Sequence, residues 1–131
     1  MEKRAEILAI MQVIQDTNYD ELQSPAQLLE YAFKLTGWIS FSGETVAEAK
    51  ELLHNARRKA YINLVASLGA QEKKIGTMLI KEFVLDSCAK ESAYLTLCER
   101  CNSAATHAAD VCRSALSYLK TEMNNLSYSN R

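Results

Sequence analysis

Four cysteines and two histidines are the side chains here best suited to chemistry, and most fall in one stretch: Cys88, Cys98, Cys101, His107 and Cys112. Cys98-Glu99-Arg100-Cys101 has the C-x-x-C spacing of zinc and redox sites. The surrounding residues read as helix, and a helix excludes a closed zinc site from this stretch alone. At a rise of 1.5 Å per residue, Cys98 and Cys112 share a face but stand about 21 Å apart. Zinc needs four ligands within about 2.3 Å. His107, six residues beyond Cys101, is rotated well off that face. A redox C-x-x-C wants a strand-to-helix setting that is missing here. The cysteines are therefore expected as small apolar core residues, with Cys101, beside the main apolar seam, the best candidate for exposure. No metal and no cofactor is expected.

Acid–base or nucleophilic catalysis finds no better support. His54 and His107 lie on separate helical segments. A nucleophile elbow, a phosphate-binding glycine loop and an H-E-x-x-H pair are all absent. Di-iron chemistry, which takes a Glu-x-x-His from each of two helices, is not expected. The chain reads as a non-enzyme with no catalytic residue and no small-molecule substrate.

The remaining candidate is basic. Arg57-Arg58-Lys59 is followed by Tyr61 and flanked by Lys50, and Lys73-Lys74 come after the turn that follows Ser67. Lys50, Arg57, Arg58, Lys59, Lys73 and Lys74 together could form a phosphate-binding edge, with Tyr61 placed to stack on a base. The alternative is a solvated helix end. Net charge over the whole chain is -1, so no global field draws it onto nucleic acid or anionic lipid. The charge is nevertheless uneven: residues 1–49 carry three basic and eight acidic groups, and residues 50–74 six basic and two acidic.

The elements that must position these residues are helical. Residues 3–15 have Ile7, Leu8, Met11 and Ile14 at helical spacing. Asp16 to Asp20 has turn composition. Ser24-Pro25 marks the next helix start, with serine as cap and proline at the first helical position. That helix carries Leu28, Tyr31, Ala32, Leu35 and Trp38. Gly37 and Ser42-Gly43 favour a break or a local bend near residues 40–43. Helix resumes from Glu44 to Ser67, with Gly69 as a candidate left-handed cap. Residues 75–86 predict a short amphipathic helix with Ile75, Leu79, Phe83 and Ile80 inward. One long helix then runs from about Ser87 to Met123, and Asn124–Arg131 is expected to fray. Its seam of Leu95, Cys98, Asn102, Ala105, Ala109, Cys112, Leu116, Leu119 and Met123 matches one of Val46, Ala49, Leu53, Ala56, Ala60 and Asn63 or Leu64. The spacing is that of a coiled coil. Small knobs in both seams suggest close antiparallel approach of Ala49–Ala60 to Ala105–Cys112, with Asn102 fixing register.

Composition agrees. The 131 residues are 48% hydrophobic and 24% charged, with one proline and four glycines, too few for a many-turned β protein. The expected fold is all-α: residues 1–131 as a single domain, an up-and-down bundle built on two long antiparallel helices with small-residue seams. No apolar run approaches the roughly 18 residues of a membrane span, and Ile7–Met11 is too short for a signal-peptide core. A cytoplasmic protein with free thiols and no membrane contact is expected.

The run Glu48-Ala49-Lys50-Glu51-Leu52-Leu53-His54-Asn55-Ala56 and the run from Leu97 to Ser114 resemble small helical proteins encoded by phages and prophages near single-strand annealing and single-strand-binding genes. The shared pattern is Glu99-Arg100-Cys101-Asn102, then His107 and Asp110, then Arg113-Ser114, then a leucine-rich helix end. The resemblance extends from near Pro25 in outline and from Glu44 in detail. It implies an accessory role in phage or prophage DNA replication or recombination, in the host cell cytoplasm. Such a protein would bind DNA, or a recombination or single-strand-binding protein. The alternative is an inhibitor that binds a host defence protein or DNA-binding enzyme, for which the acidic N-terminal segment is suited. A protein partner or a second copy is expected, with Trp38, Ile39, Phe41, Tyr94 and Tyr118 as a candidate apolar patch.

Overall fold

A computed structural model describes residues 1–71 and 76–129. Lys73, Lys74 and Ile75 lie outside the described residues. The described residues are 92% helical, and among them there is no strand. Helix α1 spans Arg4–Asp16, a short 3-10 turn spans Tyr19–Glu21, α2 spans Pro25–Gln71, α3 spans Thr77–Ser87 and α4 spans Ala89–Ser129. None of these helices is long and apolar enough to cross a membrane.

Helix α2 begins where Ser24-Pro25 indicates. The Ser24 hydroxyl accepts from the Gln27 amide at 3.2 Å, and the Ser24 amide donates back to Gln27 Oε1 at 3.3 Å. This reciprocal pair satisfies two groups that a helix start leaves orphaned. From there α2 runs unbroken for 47 residues, about 70 Å at the standard rise. Neither Gly37 nor Ser42-Gly43 interrupts it, and Gly69 lies inside the helix rather than capping it. The reason is tertiary. Ser42 and Thr45 are fully buried, and their hydroxyls donate to the Ile39 and Phe41 carbonyls of their own helix at 3.2 and 2.7 Å. Contacts from the opposing helix, Asn102 on the Ile39 carbonyl and Ser42 among them, offset the modest glycine penalty of about 1 kcal/mol each. A methyl group at Gly37 would meet nothing within 4 Å. Gly37→Ala is therefore expected to stabilise the fold by about 0.5–1 kcal/mol and to raise the midpoint of a circular-dichroism melt by about 2–5 °C.

Helix α4 runs antiparallel to α2 and is its principal partner. Three contacts set the register. Near one end, Leu28, Tyr31 and Leu35 share a buried cluster with Ala108, Ala109 and Cys112. In the middle, Asn102 Nδ2 donates to the Ile39 carbonyl at 3.1 Å and to Ser42 Oγ at 3.0 Å. Further along, Ala49 is buried with Tyr94, Cys98 and Cys101. Asn102 is thus the interhelix polar contact expected of it. The expected pairing of Ala49–Ala60 with Ala105–Cys112 is wrong. Because α2 is continuous and α3 folds back along its C-terminal part, α4 starts further down the hairpin. Its small residues face the large side chains of Leu28, Tyr31 and Leu35, and Ala49 faces Tyr94. Large knobs enter small holes, which fills space better than small against small.

Helix α1 packs on the middle of this hairpin through Ile7, with Ile10, Met11 and Ile14 partly buried. Leu8, expected inward, is exposed. Lys3 Nζ meets Glu48 Oε1 at 3.0 Å and lies 5.6 Å from the Phe41 ring centre. Helices α3 and α4 are two rods joined at Cys88, which is buried. No residue of α3 is fully buried. Leu79 and Phe83, expected inward, are exposed, and the half-buried residues are Ile80 and Val84. Residues 124–129 are helical rather than frayed, and Met123 at the seam's end is exposed.

Candidate functional site

The cysteine stretch is core. Cys88, Cys98, Cys101 and Cys112 are free thiols and all are buried. Cys101, the candidate for exposure, is fully enclosed beside Ile7 and Cys98. Burial pushes the thiols of Cys98, Cys101 and Cys112 above the usual range, which lowers the thiolate fraction that nucleophilic chemistry requires. His107 is exposed and so does not join Cys101. Glu51-Leu52-Leu53-His54 is a single Glu-x-x-His, with Glu51 and His54 both exposed on α2. Among the described residues no three His, Cys, Asp or Glu side chains are placed to hold a metal. Asp110 pairs with Arg113 on its own helix at 3.2 Å rather than with a neighbouring element.

The apolar patch expected around Trp38 also belongs to the core. Trp38 and Ile39 pack against the Leu28–Cys112 cluster, Phe41 packs near Ile7, and Tyr94 is 2% exposed. Tyr118 alone of that set is on the surface, where its hydroxyl donates to Glu122 Oε1 at 2.8 Å.

The basic residues fare differently. Lys50, Arg57, Arg58 and Lys59 are all exposed on α2. Helical geometry divides them, since Lys50 and Arg57 are seven residues apart and share a face, about 10 Å along the axis. Arg58 flanks that face, and Lys59 points the other way. Arg57 and Arg58 line an open groove of about 620 Å³ between α2 and α3, together with His54, Tyr61, Thr77, Ile80, Lys81, Val84 and Leu85. Its floor is apolar and its rim is cationic. No described carboxylate pairs with Arg57, Arg58 or Lys81: the ion pairs lie at Lys3–Glu48 and Asp110–Arg113.

Lys81 is the rim residue that sequence reasoning missed. Its contribution depends on α3 folding back beside α2, which brings position 81 next to positions 57 and 58. Lys73 and Lys74, expected to complete the edge, fall outside the described residues. No family model, no curated protein and no solved structure matches the chain.

Proposed function

We propose that this chain is a non-enzymatic accessory protein of phage or prophage DNA replication or recombination that acts by binding single-stranded DNA along the α2–α3 groove. The observation that carries the reading is the groove itself. Arg57, Arg58 and Lys81 converge on it without a paired carboxylate among the described residues, Lys50 extends the line, and Tyr61 is half exposed at its edge. Cations along a groove suit a phosphate backbone, and an aromatic side chain beside an apolar floor suits unstacked bases. The resemblance of Glu48–Ala56 and Leu97–Ser114 to phage proteins of recombination loci supports the same context. The apolar floor of Ile80, Val84 and Leu85 favours a second reading, an acidic amphipathic segment of a recombination or single-strand-binding protein.

The test is a fluorescence-anisotropy titration with a short single-stranded oligonucleotide and with its duplex, at two salt concentrations. Three phosphate contacts on a single strand give a salt slope near -2, so affinity is expected to fall about 20-fold between 50 and 200 mM salt. Arg57→Glu/Arg58→Glu is expected to reduce low-salt affinity by about tenfold or more. Absence of binding to either DNA at low salt, or binding unaffected by the double charge reversal, would overturn the DNA reading and leave the protein segment.

A further inference from the structure

A third helix covers the α2–α4 hairpin only in its middle. There α1 places Ile7 among Ala49, Tyr94, Cys98 and Cys101, and its N-terminal flank is tied down by Lys3 on Glu48. Lys59 stands eleven residues beyond Glu48, three helical turns, and so lies on the same side of α2 about 16 Å further along. At that level no described residue fills the third position. A hollow of about 520 Å³ opens between α2, with Lys59 and Asn63, and the opposing rods, with Phe83 and Glu91. Leu64 and Phe83 also line a second hollow of about 330 Å³, beside Leu79. Leu79 is 59% exposed and Phe83 49%.

The surface area says how much is missing. The chain exposes 9457 Å², whereas a compact monomer of this mass exposes about 6,900 Å². The excess of about 2,500 Å² per chain, spread over the whole elongated molecule, is at or above what one partner contributes to a stable homodimer, roughly 1,000–2,500 Å² of the 2,000–5,000 Å² buried in total, so an interface at this hollow needs only part of it. The charges around the hollow are self-complementary. Lys59 stands on one wall, and Glu82, Asp86 and Glu91 flank Phe83 on the other. In a two-fold dimer a patch meets itself, so the cation of each copy faces the acidic wall of the other.

We propose that this vacant third-helix position is a homodimer interface, in which two copies pack their α2–α3 ends together through Phe83 and Leu79. The interface lies on the side of α2 away from the Arg57–Arg58–Lys81 groove and does not depend on what that groove binds.

Sedimentation velocity on the full chain at tens of micromolar tests it. The wild type is expected at twice the 14.7 kDa chain mass. Phe83→Glu is expected at the single-chain mass with unchanged helical circular dichroism, because the side chain is already half in solvent. Should that variant lose its helical signal, Lys59→Glu, an exposed charge on the same hollow, takes its place with the same expectation. A wild type at the single-chain mass, or a folded variant that remains dimeric, would overturn the proposal.

Discussion

Truncating Leu35 to alanine is expected to cost the fold about 2–5 kcal/mol, and enlarging Ala109 to leucine about 1–3 kcal/mol, while the double variant is expected to lose less than the two combined. Leu35 is fully buried, so removing its side chain leaves a cavity that rigid neighbouring helices close only in part. Ala109 sits in the same buried cluster from the opposing helix, where added carbon atoms crowd Leu28, Tyr31 and Leu35. Putting the volume back from the other side of one cluster should recover about 0.5–3 kcal/mol as an interaction term. Urea unfolding of the four proteins measures it. The cycle also tests the register. Were Ala109 instead packed against residues 49–60, it would share no cluster with Leu35 and the two changes would simply add.

That register was the least legible part of the fold. The helices announce themselves: Ser24 and Gln27 close a capping box, and the apolar seams follow helical spacing. Asn102 in a line of small residues was also readable, because a polar group at a seam must find a partner, and it finds Ile39 and Ser42 across the interface. Small residues in two seams, however, do not say that they meet. Ala108 and Ala109 are small where Leu28, Tyr31 and Leu35 enter from α2. Gly37 and Gly43 suggested a break because glycine weakens an isolated helix, whereas here the opposing α4 keeps α2 continuous.

The candidate site divides along the same line. Lys50, Arg57 and Arg58 were legible as a charge run on a helix. The division of that run between two faces follows from the 100° step between residues. Lys81 was not legible, since only the return of α3 brings it near. Leu79 and Phe83 have the spacing of inward residues, and the pattern was read as burial within the chain. The chain itself does not cover them, which is why the same pattern points to a second copy.

The fold is expected to lose stability steeply between about pH 10 and 12, and Tyr94→Phe is expected to blunt that loss. Tyr94 is enclosed next to Cys98, and burial first, then the neighbouring thiol, pushes its hydroxyl up to about 12. Tyr19, half-buried against Tyr31 with ring centres 6.1 Å apart, is pushed up to about 12 chiefly by burial as well. The sign follows from which state keeps the proton. In the unfolded chain a tyrosine ionises near 10, whereas in the folded chain it stays neutral to about 12. Through that interval the unfolded state releases protons that the folded state holds, so each rise in pH favours unfolding. At about 1.4 kcal/mol per pH unit, Tyr94 alone accounts for a loss of at most about 3 kcal/mol. The buried thiols act in the same direction and begin earlier, because an exposed cysteine ionises near 9. Set against a typical stability of about 5–15 kcal/mol, these losses are a sizeable fraction and lower the urea midpoint through the interval. Tyr94→Phe keeps the ring in its place and removes the proton, at a neutral-pH cost of about 1 kcal/mol for the lost polar contact. Urea midpoints taken from pH 7 to pH 11 should therefore start slightly lower in the variant and fall less. A variant whose midpoint falls as far as the wild type's would mean that Tyr94 ionises in the folded state without penalty, and that its enclosure beside Cys98 is not tight.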